Sequence, residues 1–397
     1  MRVLFAALTS PYPPTNGHRL RTWAMVRALA EEGHAVTVVS LADSPEPPED
    51  LEPLKAICHG VEVVLPTART TTPRVAARLR ALASPLPYGA WRFRSAPFTA
   101  ALQRQLAHDR FGLLICDGAY NFSNLPKTPG VPVFLNKDDV ASVILRRYLA
   151  VERSVAKRLY GKIEKHKTAR WERSTAARVR LVLACSEVDR RELLDLCPSA
   201  RITVIPNVVD TDHYSPSAHS EPCTVLFQGG IDWHPNRDAV EFFLAEILPA
   251  LRRLVPAVRF RIAGRCPPAF SQRYQSVPGV EFTGRVLDMR VEIARATVCV
   301  VPLRIGSGTR LKILEAGAMA KPIVSTTLGA EGLELNDRED IILADEPRAF
   351  AEAVAGLLAA RSRREQIGWA ARLHVVKHHS LPVFQSSLRH ALAQGLR

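Results

Sequence analysis

The sequence predicts an α/β fold with parallel sheets, and three observations lead to that prediction. Short β-branched apolar runs alternate with amphipathic stretches of helical period, and turns rich in Gly, Pro, Asn and Ser separate them. The runs are almost continuously apolar, which is typical of strands buried on both faces. The chain has 397 residues, of which 47% are hydrophobic and 23% charged, so it is long enough for two domains. We therefore expect two parallel sheets, each covered by helices.

Strands and helices follow one another in this order along the chain. Strands are predicted at residues 3–7, 35–40, 61–65, 113–116, 131–135, 181–185, 202–205, 224–228, 259–263, 280–282, 297–302, 322–325 and 341–343. Helices are predicted at residues 19–32, 146–177, 238–254, 310–320, 347–360 and 381–396.

A polar segment with two prolines, residues 210–222, lies between two clear strands and is the best domain boundary. It divides the chain into an N-terminal domain, residues 1–209, and a C-terminal domain, residues 223–378. Residues 379–397 form a final amphipathic helix whose packing partner the sequence leaves open, and crossing back to the N-terminal domain is one option.

Several classes of protein are excluded by composition. The longest apolar runs are as long as strands, whereas a membrane span needs about 18 apolar residues. The seven cysteines are odd in number and include no Cys-x-x-Cys pair, so we expect neither a disulfide framework nor a zinc site. The apolar start of the chain continues into a helical pattern without an obvious cleavage site. We interpret it as a first buried strand, which predicts a cytoplasmic protein.

The net charge of +14 is concentrated in two windows of the N-terminal half. Residues 74–110 contain seven arginines and one acid, and residues 141–180 contain twelve Lys and Arg against three glutamates. Such windows suggest an anionic partner: the inner membrane surface, a lipid phosphate or a nucleic acid. A solvated helical face that only aids solubility explains them equally well.

The most informative segment is a glycine-rich turn that follows one buried strand and opens a helix. It contains Arg304, Gly306, Ser307, Gly308, Thr309, Arg310, Lys312 and Glu315. Glycines let backbone amides approach a ligand, and the start of a helix attracts phosphate. Gly308, Lys312 and Glu315 share one helix face, which suits a nucleoside diphosphate. A Ser/Thr cap followed by an ordinary Lys/Glu pair explains the pattern as well.

The turn and the residues after it resemble the donor-site signature of the group 1, family 4 retaining glycosyltransferases. The resemblance is carried by residues 306–316, 321–326 and 329–333, and by landmarks at residues 13–17, 33–38, 204–210 and 282–286. It implies the GT-B architecture, in which two Rossmann-like domains face a central cleft. It also implies metal-independent transfer of a sugar from a nucleoside-diphosphate donor to a hydroxyl acceptor, with no cofactor. Cell-surface polysaccharide or glycolipid synthesis is the expected role.

The same resemblance assigns roles to particular residues. Glu315 would bind the donor ribose, and Lys312 or Arg310 would neutralise the diphosphate. The loop of Gly284, Arg285 and Val286 would flank the base. The backbone amide of Gly17 would bind the phosphates. The backbone amides of the turn would bind them too, at Gly306, Ser307, Gly308 and Thr309.

Asp138 and Asp139 follow the strand at residues 131–135, where related enzymes often carry a His or Asp facing the donor sugar. We expect them, with Arg304 and Lys312, among the catalytic residues, although an Asx turn or helix cap explains the two aspartates equally well. Ser307 stands where the family often has a second glutamate. A nucleotide-sugar epimerase and a non-catalytic nucleic-acid-binding protein are the alternative functions.

Overall fold

The computed structural model describes residues 1–42, 48–65, 73–217 and 219–397. The chain forms two compact units: Met1–Asn207 together with Phe384–Arg397, and Val208–Val383. The segment expected to be a linker, residues 210–222, therefore belongs to the second unit. Hydrogen bonds to the rest of that unit explain why: Arg290 donates to the carbonyl of His213, and Arg372 donates to the carbonyl of Tyr214, both at 3.2 Å.

The first unit contains a parallel sheet that, within the described residues, has seven strands. They are β1 (Arg2–Ala7), β2 (Ala35–Leu41), β3 (Gly60–Val64), β4 (Leu113–Asp117), β5 (Val133–Asn136), β6 (Leu181–Ala184) and β7 (Ile202–Val204). Their order across the sheet is β3-β2-β1-β4-β5-β6-β7. The central strands are fully buried because helices cover both faces.

The helices of the first unit connect these strands. They are α1 (Gly17–Glu31), α2 (Pro48–Ile57), α3 (Arg74–Leu82), α4 (Tyr88–Arg92), α5 (Ala96–His108), α6 (Ala141–Val151), α7 (Val155–Ala176) and α8 (Glu187–Leu196). A short 3₁₀ turn, Ala119–Asn124, follows β4.

The single helix predicted at residues 146–177 is wrong, because the chain breaks between α6 and α7. Ser154 caps α7 by accepting from the N–H of Lys157, and Glu152 accepts from the N–H of Ser154 at 2.8 Å. Side-chain bonds to nearby amides compete with a continuous helix at such positions.

The second unit contains a parallel sheet that has six strands in the described part of the chain. They are β8 (Thr224–Gln228), β9 (Arg259–Ala263), β10 (Val280–Gly284), β11 (Val298–Val301), β12 (Ile323–Ser325) and β13 (Ile342–Leu343), in the order β10-β9-β8-β11-β12-β13. Every predicted strand is present in one of the two sheets, with ends that differ by at most two residues.

Seven helices named here surround this sheet. They are α9 (His234–Phe242), which continues through a π turn (Phe243–Ile247) into α10 (Leu248–Leu254), then α11 (Pro268–Tyr274), α12 (Met289–Arg295), α13 (Leu311–Ala318), α14 (Pro347–Ala359) and α15 (Arg361–His379). The predicted helix at 310–320 therefore begins one residue later, after Arg310. Among the residues described, no helix is both long and apolar enough to cross a bilayer.

The last helix, α16 (Leu381–Leu396), begins in the second unit and lies mostly in the first. Its buried face includes Phe384, Leu388 and Gly395. Arg180 donates to the carbonyl of Gly395 at 2.9 Å. A Cβ atom on Gly395 would lie 2.1 Å from Cζ of Phe134, so glycine is needed for this close approach.

We predict that Gly395→Ala destabilises the first unit by about 1–3 kcal/mol, because the added methyl overpacks the contact with Phe134. Gly356→Ala is the matched control, since Gly356 is helical and a Cβ there meets nothing within 4 Å. The control should gain about 0.5–1 kcal/mol from helix propensity. Urea unfolding measures both changes, and equal effects of the two substitutions would contradict the packing argument.

Candidate functional site

The turn that precedes α13 is shaped by two glycines and one buried arginine. Gly306 and Gly308 have φ angles of 149° and 73°, which favour glycine. The guanidinium of Arg310 donates to the carbonyls of Ser307, at 2.9 Å, and Gly308. A Cβ on Gly306 would lie 2.7 Å from Nη2 of Arg310, so the arginine fills the space that the glycine leaves.

These contacts tie the guanidinium of Arg310 to the backbone of the turn. Nη2 also lies 3.3 Å from the carbonyl of Leu328, and the side chain is buried. Thr309 is buried as well, and Ser307 is half-buried. The structure thus shows Arg310 shaping the turn, and its expected contact with a diphosphate stays a prediction.

Lys312 lies on the first turn of α13 with its ammonium group largely shielded from water. Nζ donates to Oδ1 of Asn236 at 2.8 Å and lies 4.0 Å from the ring centroid of Phe227. Burial and, to a smaller extent, the positive charge of Arg310 together lower the pKa of Lys312 to about 7. A cation held in this way gains strongly from an anionic ligand.

Glu315 lies one turn further along α13. Its Oε1 accepts from the hydroxyl of Tyr214 at 3.2 Å, and its Oε2 accepts from the amide of Gln228. Burial raises the pKa of Glu315 to about 7, although Tyr214 and Lys312 act in the opposite direction. The carboxylate is thus held in a fixed position at the end of β8, where it can accept hydrogen bonds.

Close backbone contact at the ends of β8 and β9 brings Lys312 to the carboxyl edge of the sheet. Gly264 has a φ of 142°, and a Cβ there would lie 2.6 Å from the carbonyl of Gly229. A Cβ on Gly229 would in turn lie 3.1 Å from Nζ of Lys312. Ligands of open parallel sheets bind outside this edge. The second unit thus presents a cation and a carboxylate at the edge where a nucleotide would bind.

The loop after β10 lies at the same edge. Gly284 has a φ of 68°, and its carbonyl accepts from the N–H of Gly264 at 3.1 Å. Arg285 is exposed, while Val286 packs partly against the core. This loop therefore adjoins the Gly229 and Gly264 backbone, and its expected contact with the base stays a prediction.

Arg304 makes its contacts with other residues than Lys312 and Glu315 do. Its guanidinium forms two bonds with the carboxylate of Asp238, at 2.9 and 3.1 Å, and lies over the ring of Phe242. Arg304 is thus paired with a carboxylate, and its expected catalytic role stays a prediction.

A partly buried polar cluster lies at the carboxyl edge of the first sheet. Nδ1 of His18 lies 2.9 Å from Oδ2 of Asp138, and Nε2 lies 3.0 Å from Oδ2 of Asp117. Asp117 also accepts from Thr22 at 3.0 Å and from Asn136 at 2.7 Å. The imidazole of His18 is thus positioned between two carboxylates.

The titration of this cluster follows from its geometry. Burial alone would lower the pKa of His18, but Asp117 and Asp138 outweigh it and raise the pKa well above its usual value. Burial would raise the pKa of Asp138, but His18 outweighs it and lowers the pKa. Burial and the negative charge of Asp138 together raise the pKa of Asp139 to about 7. A charged imidazolium therefore lies beside the ionised Asp138, and Asp139, the next residue in the chain, titrates near neutrality.

Hydrogen bonds to a glutamate of α7 fix the loop that carries Asp138 and Asp139. Glu172 on α7 accepts from Nζ of Lys137 at 2.8 Å, and from the N–H groups of Ala141 and Ser142. The Lys137–Glu172 pair is almost fully buried. The two aspartates therefore lie on a loop that is held at both ends.

Arg21 joins three elements behind this cluster. Its Nε donates to Oδ1 of Asn136 at 2.9 Å, and its Nη1 donates to the carbonyl of Ile205 and to Oδ1 of Asn207, both at 2.8 Å. The side chain is 1% exposed. Gly17, the first residue of α1, is exposed, and Asn16 caps the helix before it.

Sequence reasoning missed His18, Arg21 and Asp117. The available signal was positional: His18 directly follows the loop at residues 13–17, and Asp117 directly follows the buried run at 113–116. Polar residues at the carboxyl ends of adjacent parallel strands meet at one edge. In the described ranges, no group of three or more His, Cys, Asp and Glu could hold a metal ion, and all seven cysteines are free thiols.

Two family profiles match the sequence. Residues 15–213, half of the chain, match Glycosyltransferase Family 4, and residues 222–360 match Glycosyl transferases group 1. The chain therefore belongs to the group 1, family 4 glycosyltransferases.

Similar solved structures confirm the GT-B fold with two Rossmann-like units. Sucrose-phosphate synthase from Thermosynechococcus elongatus is 16% identical, with a TM-score of 0.74 over 98% of each chain. Anabaena HepE, solved with UDP-glucose, is 14% identical, with a TM-score of 0.69 over 99% of this chain and 100% of that one. TarM from S. aureus, solved with UDP and alpha-GlcNAc-glycerol, is 12% identical, with a TM-score of 0.71 over the whole of both chains.

One relative is similar in sequence over part of its length. It is an uncharacterized 44.6 kDa protein in the cps region of Klebsiella pneumoniae, 24% identical over 174 residues. The match covers 41% of this chain and 45% of that protein, so the chain spans under half the length of the curated relative it matches.

We predict that Arg21→Met destabilises the first unit by about 3 kcal/mol or more, because three buried oxygens lose their donor. Arg27→Met, also on α1, is the control: Arg27 is exposed and pairs with Glu31, which contributes about 0.5 kcal/mol or less. The midpoints of urea unfolding measure the difference. A small effect of Arg21→Met would show that Arg21 does not hold the cluster together.

Proposed function

We propose that the enzyme transfers a sugar from a nucleoside-diphosphate donor to a hydroxyl acceptor with retention of the anomeric configuration, and without a metal ion. The observation that carries this proposal is the placement of Lys312 and Glu315 at the carboxyl edge of the second sheet. The family to which the chain belongs, and its resemblance to retaining members, support the stereochemical part.

The donor half of the proposal follows from the chemistry of the second unit. Lys312 neutralises the diphosphate, and the amides of the turn at Gly306 and Gly308 stabilise the negative charge that develops on the leaving group. Glu315 accepts hydrogen bonds from the ribose hydroxyls in place of Tyr214 or Gln228. A uridine diphosphate is the first donor to test, because HepE and TarM were solved with UDP.

The acceptor half is assigned to the first unit. The imidazolium of His18 is fixed between Asp117 and Asp138 and supplies a positive charge, while Asp138 stays ionised. Asp139, with a pKa near 7, is able to exchange a proton with an acceptor hydroxyl at neutral pH. In retaining transfer by front-face attack the leaving phosphate can also take this proton.

The biological setting is polysaccharide or glycolipid synthesis at the cytoplasmic face of the membrane, with a lipid-linked acceptor. Two observations support this assignment: the similarity to a protein in a cps region, and the basic windows of the first unit. Both observations bear on the acceptor and the membrane partner of the enzyme. Neither bears on the chemistry of sugar transfer.

We predict that incubation with UDP-glucose and a hydroxyl acceptor releases UDP and forms a glycoside with the α configuration of the donor. Proton NMR distinguishes the anomers by their coupling constants. A β-glycoside would overturn the retaining assignment, and interconversion of the sugar nucleotide without acceptor would favour an epimerase. Activity that is lost with EDTA and restored by Mg²⁺ would overturn metal independence.

We predict that Lys312→Met and Glu315→Gln each weaken UDP-glucose binding by about 1.5–3 kcal/mol, since each removes a charge-assisted hydrogen bond. The wild-type affinity should be highest near pH 7. It falls at higher pH because free Lys312 loses its proton, and at lower pH because free Glu315 takes one up. Lys312→Met should remove the alkaline decline, and Glu315→Gln the acid decline. Isothermal titration across this pH range measures both.

Lys377→Met and Glu352→Gln, at exposed positions of the second unit, are the matched controls and should bind like the wild type. The pyrophosphate of UDP-glucose is a diester and does not titrate near pH 7, so the profile reports on the protein. If the two site variants bind with wild-type affinity and an unchanged pH profile, neither side chain contacts the donor.

A further inference from the structure

Two neighbouring helices of the first unit expose aliphatic side chains to solvent. On α3, Val75 and Leu79 are 71% and 65% exposed, and they lie four residues apart on one face. On α7, Val155 and Leu159 are 81% and 63% exposed, and Ile163 continues their row one turn later. Large aliphatic groups this exposed, in rows along two helices, indicate a surface that contacts a partner.

The two rows belong to neighbouring helices, because long side chains of α3 and α7 bridge the two. Nζ of Lys167 donates to the carbonyls of Ala81, Leu82 and Ser84, at 2.7 to 3.0 Å, and so caps the end of α3. Nearer the start of α3, the guanidinium of Arg78 lies 5.9 Å from the ring centroid of Tyr160. These contacts join the second half of α3 to residues 160–167 of α7, so the helices that carry the two rows are neighbours.

Basic side chains surround the aliphatic rows, and acids are missing from the exposed faces of these two helices. The sequence of α3 contains no acid, and both glutamates of α7, Glu164 and Glu172, are buried. Arg80, Arg158 and Lys162 are exposed beside the rows. We call this face, with its five aliphatic and three basic residues, the α3–α7 surface.

We propose that the α3–α7 surface docks the enzyme on an anionic lipid bilayer. Val75, Leu79, Val155, Leu159 and Ile163 enter the boundary between headgroups and acyl chains, while Arg80, Arg158 and Lys162 bind the lipid phosphates. This combination is the one that interfacial amphipathic helices use. Each basic residue near such a surface contributes about 1 kcal/mol of attraction.

The same observations weigh against two other partners. A second copy would bring this surface against itself in a two-fold dimer, and two faces with cations and no exposed acid repel each other. Single-stranded nucleic acid needs exposed aromatic rings for stacking. Here Tyr160 lies against Arg78, and Trp171 packs on Phe122 and donates to the carbonyl of Ala119. An anionic bilayer matches both the charge and the aliphatic rows.

Co-sedimentation of the full chain with vesicles tests this proposal. We expect binding to mixed phosphatidylcholine and phosphatidylglycerol vesicles at low salt, and much weaker binding to pure phosphatidylcholine. The double variant Leu79→Glu with Leu159→Glu should bind about tenfold more weakly for each side chain changed. The matched control, Leu254→Glu with Leu373→Glu, changes two exposed leucines of the second unit and should bind like the wild type.

A second measurement reports on insertion. Leu159→Trp should be quenched by brominated lipids, and Leu254→Trp should be quenched no more than the five native tryptophans. Absence of vesicle binding by the wild type, or equal binding by both double variants, overturns the proposal. So does a dimer that the α3–α7 variant dissociates, or RNA binding without vesicle binding.

The result of the vesicle experiments does not depend on whether the donor-binding residues are assigned correctly. UDP-glucose binding without vesicles should be the same for the wild type and the α3–α7 double variant, because none of the changed residues belongs to the donor site. Vesicle binding without donor binding would support the docking surface and contradict the proposed function. Donor binding without vesicle binding would contradict the docking surface and support the proposed function.

Discussion

The turn before α13 depends on one interaction, the contact of the buried Arg310 guanidinium with the carbonyls of Ser307 and Gly308. This contact fixes the path of the chain between β11 and the helix, and it requires glycine at position 306. The start of α13, and with it the direction of Lys312 and Glu315, follows from that path. Arg310, which the sequence suggests as a ligand of the diphosphate, therefore also shapes the turn that precedes the helix.

Both units hold charged groups with shifted pKa values at the carboxyl edge of a parallel sheet. In the second unit burial moves the pKa of Lys312 and of Glu315 toward 7, so each group is close to losing its charge. In the first unit the charges of His18 and Asp138 stabilise each other and keep both ionised. Such shifts cost stability or require partners, and they cluster at sites of binding and catalysis.

The sequence predicts the strands far better than the helices. All strand positions follow from apolar runs, because a strand buried on both faces has an unmistakable composition. Several helices were not predicted, among them α5 and α15. Lys312 and Glu315 were found from spacing on one helix. His18 and Asp117 were not found, because they lie 99 positions apart in the sequence. Only the order of the strands in the sheet brings them together.

The final helix carries a consequence for how the protein is made. Most of α16 belongs to the first unit, and it covers Phe134 and Leu181 on the sheet of that unit. When residues 1–207 have left the ribosome, all the strands of the first unit have therefore been synthesised. The helix that covers them has not. The N-terminal half must wait, with this apolar patch uncovered, until translation of the second unit has finished.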